Sequence, residues 1–412
     1  MGRVLSSRRG GRARAALSGT LLVLLAHAAA AATEWQIAVD LRLVDSAAST
    51  SFLEGGQGTL RYGEDQSGVR LGRVRLALDQ SLGDLLTLKL DASSWGDHDK
   101  TPIGLTEAFL LLHPYPFHGF RARLKAGAFY APISLENRSA GWESPYTLTY
   151  SALNSWVGEE LRTIGLESQI EWLGTRLGKD FDVGLTAAVY GWNETLGRGL
   201  ADHGFALDDR QTLLEGRVGP KGSLPFGGYE EFHEVDSRPG EYEGLEARYL
   251  DRVVVRYLHY DNQADPAAFD PLGPRFAWET HFDTAGIRAE DEQGWGAIVQ
   301  WLEGYTAIEP RGNELAWRFR TRFVLLSKRT GRYTLSARYD DFEVNPEEGT
   351  LGQQTGHAFT AACMLEASAH WRFGLEWVRV RSFESNRTLL EQAPFATESM
   401  LQLALRYALG AR

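Results

Sequence analysis

The chain has 412 residues, 43 basic and 54 acidic, for a formal charge of −11; it holds one cysteine, 44 glycines and 12 tryptophans. One cysteine excludes an intramolecular disulfide framework and a multi-cysteine metal centre, and the acidic balance argues against a nucleic-acid binder. A mean hydropathy of −0.29 is too polar for a bundle of membrane helices.

Residues 1–32 read as a secretory signal peptide. Arg3, Arg8, Arg9, Arg12 and Arg14 form a basic start, Leu21, Leu22, Val23, Leu24 and Leu25 an apolar core, and small residues run to Ala32. That core is too short to span about 30 Å of hydrocarbon as an anchor. Losing its five arginines takes the charge from −11 to −16. The mature chain, 33–412, is then periplasmic, secreted or an outer-membrane barrel. Only the barrel crosses a membrane without a long apolar run, because its strands alternate lipid-facing and lumen-facing residues.

That alternation recurs along the chain. Trp35, Ile37, Val39, Leu41 and Leu43 oppose Gln36, Ala38, Asp40 and Arg42; Val74, Leu76 and Leu78 oppose Arg73, Arg75, Ala77 and Asp79. Leu86, Leu88 and Leu90 alternate with Thr87, Lys89 and Asp91. Ala122, Leu124, Ala126 and Ala128 alternate with Arg121, Arg123, Lys125 and Gly127. Later, Trp317, Phe319, Phe323 and Leu325 oppose Arg318, Arg320 and Arg322, and Leu401 to Leu409 closes the series. A period of two over about nine residues suits a membrane strand, whereas soluble strands average about 5–6. Seven short links, near 81–83, 114–117, 173–180, 250–252, 290–292, 328–331 and 369–371, interleave with eight long ones. The spacing predicts an all-β, antiparallel transmembrane barrel of 16 strands, with short periplasmic turns and long outer loops. Segment 194–241 reads as one long external loop; a strand at Thr212–Val218 would raise the count toward 18. Aromatic residues near strand ends (Trp35, Trp95, Tyr130, Trp172, Trp192, Tyr257, Trp317, Trp371, Tyr407) suit interfacial girdles.

The third outer connection, 131–160, holds Pro132, Leu135, Trp142, Tyr146, Leu148, Tyr150, Leu153, Trp156 and Val157. So apolar a loop needs something to pack against, and a 16-stranded lumen is wide enough to hold it. Folded inward, it would bring Glu136, Arg138, Glu143, Tyr146 and Trp156 to a constriction. An external lid or a subunit-contact loop is the alternative.

Gly127-Ala128-Phe129-Tyr130-Ala131-Pro132-Ile133-Ser134-Leu135-Glu136 resembles the segment that enters the third loop in the phosphate-selective porin (O and P) family. The local match covers about ten residues; the wider resemblance to 16-stranded porins is one of pattern. It implies a homotrimer, an inward third loop and passive diffusion of small solutes, often anions. The family's lysine- and arginine-rich ladder has no residue-by-residue counterpart here, and the chain ends Leu409-Gly410-Ala411-Arg412 rather than in phenylalanine.

A pore selects ions by lumen-facing charge. Spacing of two places Arg73 and Arg75 on strand two, Arg121, Arg123 and Lys125 on strand five, and Arg318, Arg320 and Arg322 on strand twelve, with Arg338 on the next. The bland alternative is ion pairing with Asp79, Asp91, Glu107, Glu167, Glu171 and Asp340 on neighbouring strands. His98, between Asp97 and Asp99, sits in a loop without a second histidine, and no hydrolase elbow or zinc-helix motif occurs. No metal, cofactor or nucleic-acid partner is expected; outer-membrane lipid and small hydrophilic solutes or anions are. The reading is a non-enzymatic porin of the Gram-negative outer membrane, passing small hydrophilic solutes with a possible preference for anions such as phosphate. Its rivals are a lipase- or esterase-like outer-membrane barrel and a soluble, secreted carbohydrate-binding β-protein.

Overall fold

A computed structural model of the chain describes residues 32–96, 103–219, 228–271, 275–348 and 350–411. The expected signal peptide, save Ala32, and the loop residues Asp97, His98 and Asp99 lie outside the described residues.

Nine strands make the first part of the wall: β1 (Thr33–Ser46), β2 (Gly68–Ser81), β3 (Leu86–Ser94), β4 (Gly104–Leu112), β5 (Phe120–Phe129), β6 (Thr163–Trp172), β7 (Phe181–Gly191), β8 (Gly240–Tyr249) and β9 (Val253–Asp261). After a two-residue hairpin, β10 (Phe269–Asp270) with β11 (Arg275–Phe276), come β12 (Glu279–Glu290), β13 (Trp295–Ile308), β14 (Leu315–Thr330), β15 (Tyr333–Pro346), β16 (Gln354–Glu366), β17 (Trp371–Glu384) and β18 (Phe395–Ala411). Without the hairpin they are sixteen. Each pairs antiparallel with its neighbours in the wall, and β1 pairs with β18 from Trp35↔Ala411 to Ser46↔Met400, so the sheet closes on itself. Closure removes every unpaired edge, the condition for crossing lipid with strands. The seven turns and eight loops fall where the alternation put them. Thr212–Val218 adds no strand; Val218 makes only an isolated bridge to Tyr229.

The outer face is apolar at mid-height. Ile37, Leu41, Leu76, Leu110, Leu124, Leu166, Ile170, Leu185, Val255, Val299, Leu326, Leu375 and Leu403 are all exposed. Trp35, Phe120, Phe181, Tyr249, Trp295, Tyr333 and Trp371 ring the turn end, while Tyr257, Tyr339, Phe359 and Trp377 ring the loop side. An apolar band between aromatic girdles is the surface of a barrel that spans a bilayer.

The main buried cluster lies inside the barrel. It joins Leu153, Trp156, Val157 and Leu161 of the third loop, Leu196, Leu200, Phe205 and Leu207 of the fourth, and the inward wall residues Phe282, Leu302, Phe319, Phe323, Leu325, Phe342 and Val378. Leu60 and Tyr62 of the first loop join the same cluster, Leu60 bridging to Leu207, so three loops fill the lumen. Residues 196–207 of the 194–241 segment, expected outside, fold back into the barrel mouth because their apolar side chains match those of the third loop and the wall.

Candidate functional site

The third loop leaves β5 where Gly127 adopts a positive φ of 131°; a Cβ there would strike the Ala108 carbonyl of the adjoining strand. The loop then crosses the lumen and is fixed on the facing strands. Arg256 of β9 donates to the carbonyls of Pro132 and Ser134, both at 3.0 Å. Gln300 of β13 accepts from the Leu135 amide at 3.1 Å and donates to the Ile133 carbonyl at 2.8 Å. Glu376 of β17 accepts from the amides of Leu148 and Thr149 and from the Thr149 hydroxyl. Ser151 caps helix α1 (Ala152–Glu160) by accepting from the Asn154 amide, and the whole helix is buried.

Glu136 is fully buried. It takes hydrogen bonds from the Ser151 amide, Asn154 and Thr147, and pairs with Arg338 at 2.7 Å. Glu143 pairs with Arg73 at 3.2 Å and with Arg406 of β18. Arg138 pairs with Glu290, which also accepts from the Tyr146 hydroxyl at 2.9 Å. Trp156 packs among Phe205, Phe282 and Phe319, with ring centroids 5.2–6.3 Å apart. All five named residues of the third loop thus point into the barrel or onto its wall.

The basic residues divide into three groups. Arg73, Arg75, Arg121, Arg123 and Lys125 face inward, but only Arg121, Arg123 and Lys125 keep substantial exposure, while Arg73 and Arg75 are buried in their pairings. Arg75 donates to Asp91 at 2.7 Å, and Arg73 to Ser93 and Gln211. Arg121, Arg123 and Arg248 gather on one carboxylate, Glu171, while Lys125 pairs with Glu167 at 2.8 Å. Arg338 faces inward but reaches no water: it is 1% exposed, bonded to Glu136, Asp340 and the carbonyls of Thr149 and Tyr150. It anchors the third loop rather than lining a pore.

Arg318, Arg320 and Arg322 correct the expectation outright. Their side chains are 71%, 42% and 60% exposed on the outside of β14, opposite Glu347, Glu343 and Asp341. The inward parity belongs to Trp317, Phe319, Thr321, Phe323 and Leu325. At this height the lumen holds the apolar plug, so the aromatic face turns in. The charged face lies above the apolar band, on the loop side of Val324 and Leu326.

The fourth loop contributes residues that the strand pattern did not flag. Asp209 pairs with Arg42 of β1 at 2.5 Å and with Arg61 at 2.9 Å. Burial opposes its charge, yet Arg42 and Arg61 outweigh that and hold its carboxyl below the usual range. Gln354 of β16 clasps Phe205 through its amide and its carbonyl. Glu160 accepts from Trp156 Nε1 at 2.6 Å, from the Tyr229 hydroxyl at 2.9 Å, and from the amides of Gly197 and Gly199 at the start of helix α2 (Arg198–Asp202). Burial, then the neighbouring Glu159, pushes the Glu160 carboxyl up to about 7. At His203, burial works against the charge, but Glu159, bonded at 2.9 Å, prevails and lifts it to about 9. The visible signal was a sparser apolar run than that of the third loop: Leu196, Leu200, Phe205, Leu207 and Leu213.

Two open spaces flank the plug. The larger, about 900 Å³ toward the turn end, is lined by Arg75, Lys89, Lys125, Glu34, Asp91 and Trp142, among others. The smaller, about 500 Å³ at the loop end, lies between Trp278, Trp317, Phe276, Arg198, Arg275 and Asn386.

No protein-family model and no curated protein matches the sequence. Solved structures do. The chain is similar to the outer membrane channel DcaP of Acinetobacter baumannii, with a TM-score of 0.53, 9% identity and coverage of 92% of this chain and 97% of that one. It is similar to a loop-L8 deletion mutant of OmpT, an outer membrane protein of Vibrio cholerae (TM-score 0.51, 9% identity, 92% and 99% covered). It is also similar to an anion-selective porin from Comamonas acidovorans (0.50, 11%, 92% and 100%). At these identities the likeness is one of fold: the chain has the 16-stranded porin architecture, and nothing in the comparisons singles out the phosphate-selective family.

Proposed function

We propose that this protein is an outer-membrane channel through which small hydrophilic solutes diffuse passively, exported by the N-terminal signal sequence. The observation that carries the reading is the pairing of an apolar outer band with a charged, water-accessible inner wall around a vestibule of about 900 Å³. The belt of exposed leucine, valine and aromatic side chains weighs against a soluble carbohydrate-binding protein, which would hide it.

Anion preference follows from one cluster. Arg121, Arg123 and Arg248 share Glu171, and Arg248 and Arg256 share Glu246, so four guanidinium groups face two carboxylates on this wall. Guanidinium stays charged at every relevant pH and matches phosphate or carboxylate with a planar fork. The plug lies between the two open spaces, so passage requires the fourth loop to shift. A homotrimer is part of the proposal. On β1, β2, β4, β6 and β7 the outer face stays apolar up to the loop end, through Leu43, Val69, Leu105, Leu166 and Val189. A partner barrel would cover that face.

Planar-bilayer recording tests the channel. Discrete conductance steps with a reversal potential favouring anions are expected. Arg123→Ala together with Arg248→Ala should shift that potential toward cations. Absence of any conductance under all voltages and pH values would overturn the reading.

A further inference from the structure

Three carboxyl groups converge where the fourth loop meets the fifth, outside the membrane band. Glu194, Glu234 and Asp236 each offer an oxygen, and these lie within 4.8 Å of one another. Glu194 is 2% exposed, and its Oε1 has no hydrogen-bond donor among the described residues. Its Oε2 accepts from the amides of Val235 and Asp236, at 2.5 and 2.9 Å. Glu234 accepts from the Trp192 amide at 2.8 Å, and Asp236 from those of Arg238 and Asp265. The nearby cation, Arg238, lies 3.8 Å from Asp236 on the exposed side and donates to Asp265 at 2.9 Å. A buried carboxylate oxygen facing two further carboxylates needs a proton or a metal cation.

We propose that Glu194, Glu234 and Asp236 bind a calcium ion. Hard oxygen donors alone, with no histidine or thiol, select calcium or magnesium over zinc. Of the two, calcium accepts irregular geometry and a mixed shell of carboxylates and water, whereas magnesium demands near-ideal octahedral geometry at about 2.0–2.1 Å, which three carboxylates on one loop and its base are not built to supply. Remaining coordination falls to water, as is usual for calcium. The ion would fasten the outer collar of the plug. The fifth loop is tied to this cluster twice: the Trp278 amide donates to the Glu194 backbone carbonyl at 2.7 Å, and the Asp265 amide donates to the Asp236 carboxylate.

Calorimetric titration of the chelator-treated, folded barrel with CaCl2 tests the site. One calcium per chain is expected, with a Kd of about 10⁻⁴–10⁻³ M, the range of extracellular calcium modules, and at least tenfold weaker binding of MgCl2. Glu194→Gln and Glu234→Gln should each weaken calcium at least tenfold, while heat-modifiable gel migration reports that they still form barrels. A measurement on the unaltered chain backs the variants. Terbium bound there should luminesce on tryptophan excitation, through neighbouring Trp192 and Trp278, and calcium should quench it by displacement. No calcium heat at pH 7.5, equal calcium and magnesium affinities, or binding unchanged in folded variants would each overturn the proposal; the first would leave a shared proton as the occupant.

Discussion

Two arginines three residue pairs apart in the sheet illustrate what residue spacing encodes and what it does not. Arg322 and Arg338 both sit in alternating strands, on β14 and β15. Arg322 stands on the outer wall against Asp341, and Arg338 is sealed inside between Glu136 and Asp340. An exposed pair contributes about 0–1 kcal/mol, because water screens it and two long side chains lose freedom. Removing one partner from a buried network costs about 3–5 kcal/mol, since the remaining charges are stranded. Arg338→Ala is therefore expected to lower the urea midpoint of the refolded barrel substantially, with Glu136 and Asp340 left uncompensated. The combined Arg318→Ala, Arg320→Ala and Arg322→Ala change should leave ion selectivity where it was; a shift of the reversal potential would return these residues to the lumen. Parity was legible in the sequence, but sidedness was not. Period two separates two faces without saying which is inside, and on β14 the aromatic face meets an apolar plug instead of lipid.

Among the elements, the third loop was legible and the fourth was not, although both fill the lumen. The third announced itself by apolar residues between two clear strands. The fourth is long and charged, and Asp208, Asp209, Glu215 and Glu231 made it look solvated. In the fold Asp208, Asp209 and Glu231 are buried while Glu215 stays exposed, and Asp209 is held by two distant partners, Arg42 and Arg61, which no local pattern reveals. The junction of the two loops should respond to pH. Glu160 is raised from its ordinary 4.5 to about 7, so the folded plug binds this proton more tightly than the unfolded chain, and stability declines as pH rises from about 4.5 to about 7. His203 is raised from 6.5 to about 9; its contribution is full below about 6.5 and is lost as pH climbs through about 9. Both signs loosen the plug in alkali. Channel opening should increase between about pH 4.5 and 9, and Glu160→Gln, which mimics the protonated form, should flatten the part below about pH 7. Trp156→Ala attacks the same contact without charge. Losing a buried indole costs about 3–5 kcal/mol, and a rise in open probability at fixed pH is the expected reading.

For the molecule as a whole, strand number, turn and loop order, and closure were all readable, because length and period are backbone properties that the membrane's thickness enforces. Band height was less so. On β1, outward apolar residues run from Trp35 to Leu43, and nine residues tilted by about 40° cover roughly 20–25 Å; on β14 they amount to Val324 and Leu326 before charge resumes. The seam between the first and last strands carries a consequence for biogenesis. Arg42 of β1 holds Asp209 of the fourth loop and also donates to Gln402 of β18, so one guanidinium joins both lips of the seam to the plug. Zipping of the final strand and loading of the cargo inside are thus one cooperative event. A sheet that closed with the fourth loop unseated would leave the Arg42 guanidinium buried without Asp209, so the seam and its cargo hold each other in place during assembly.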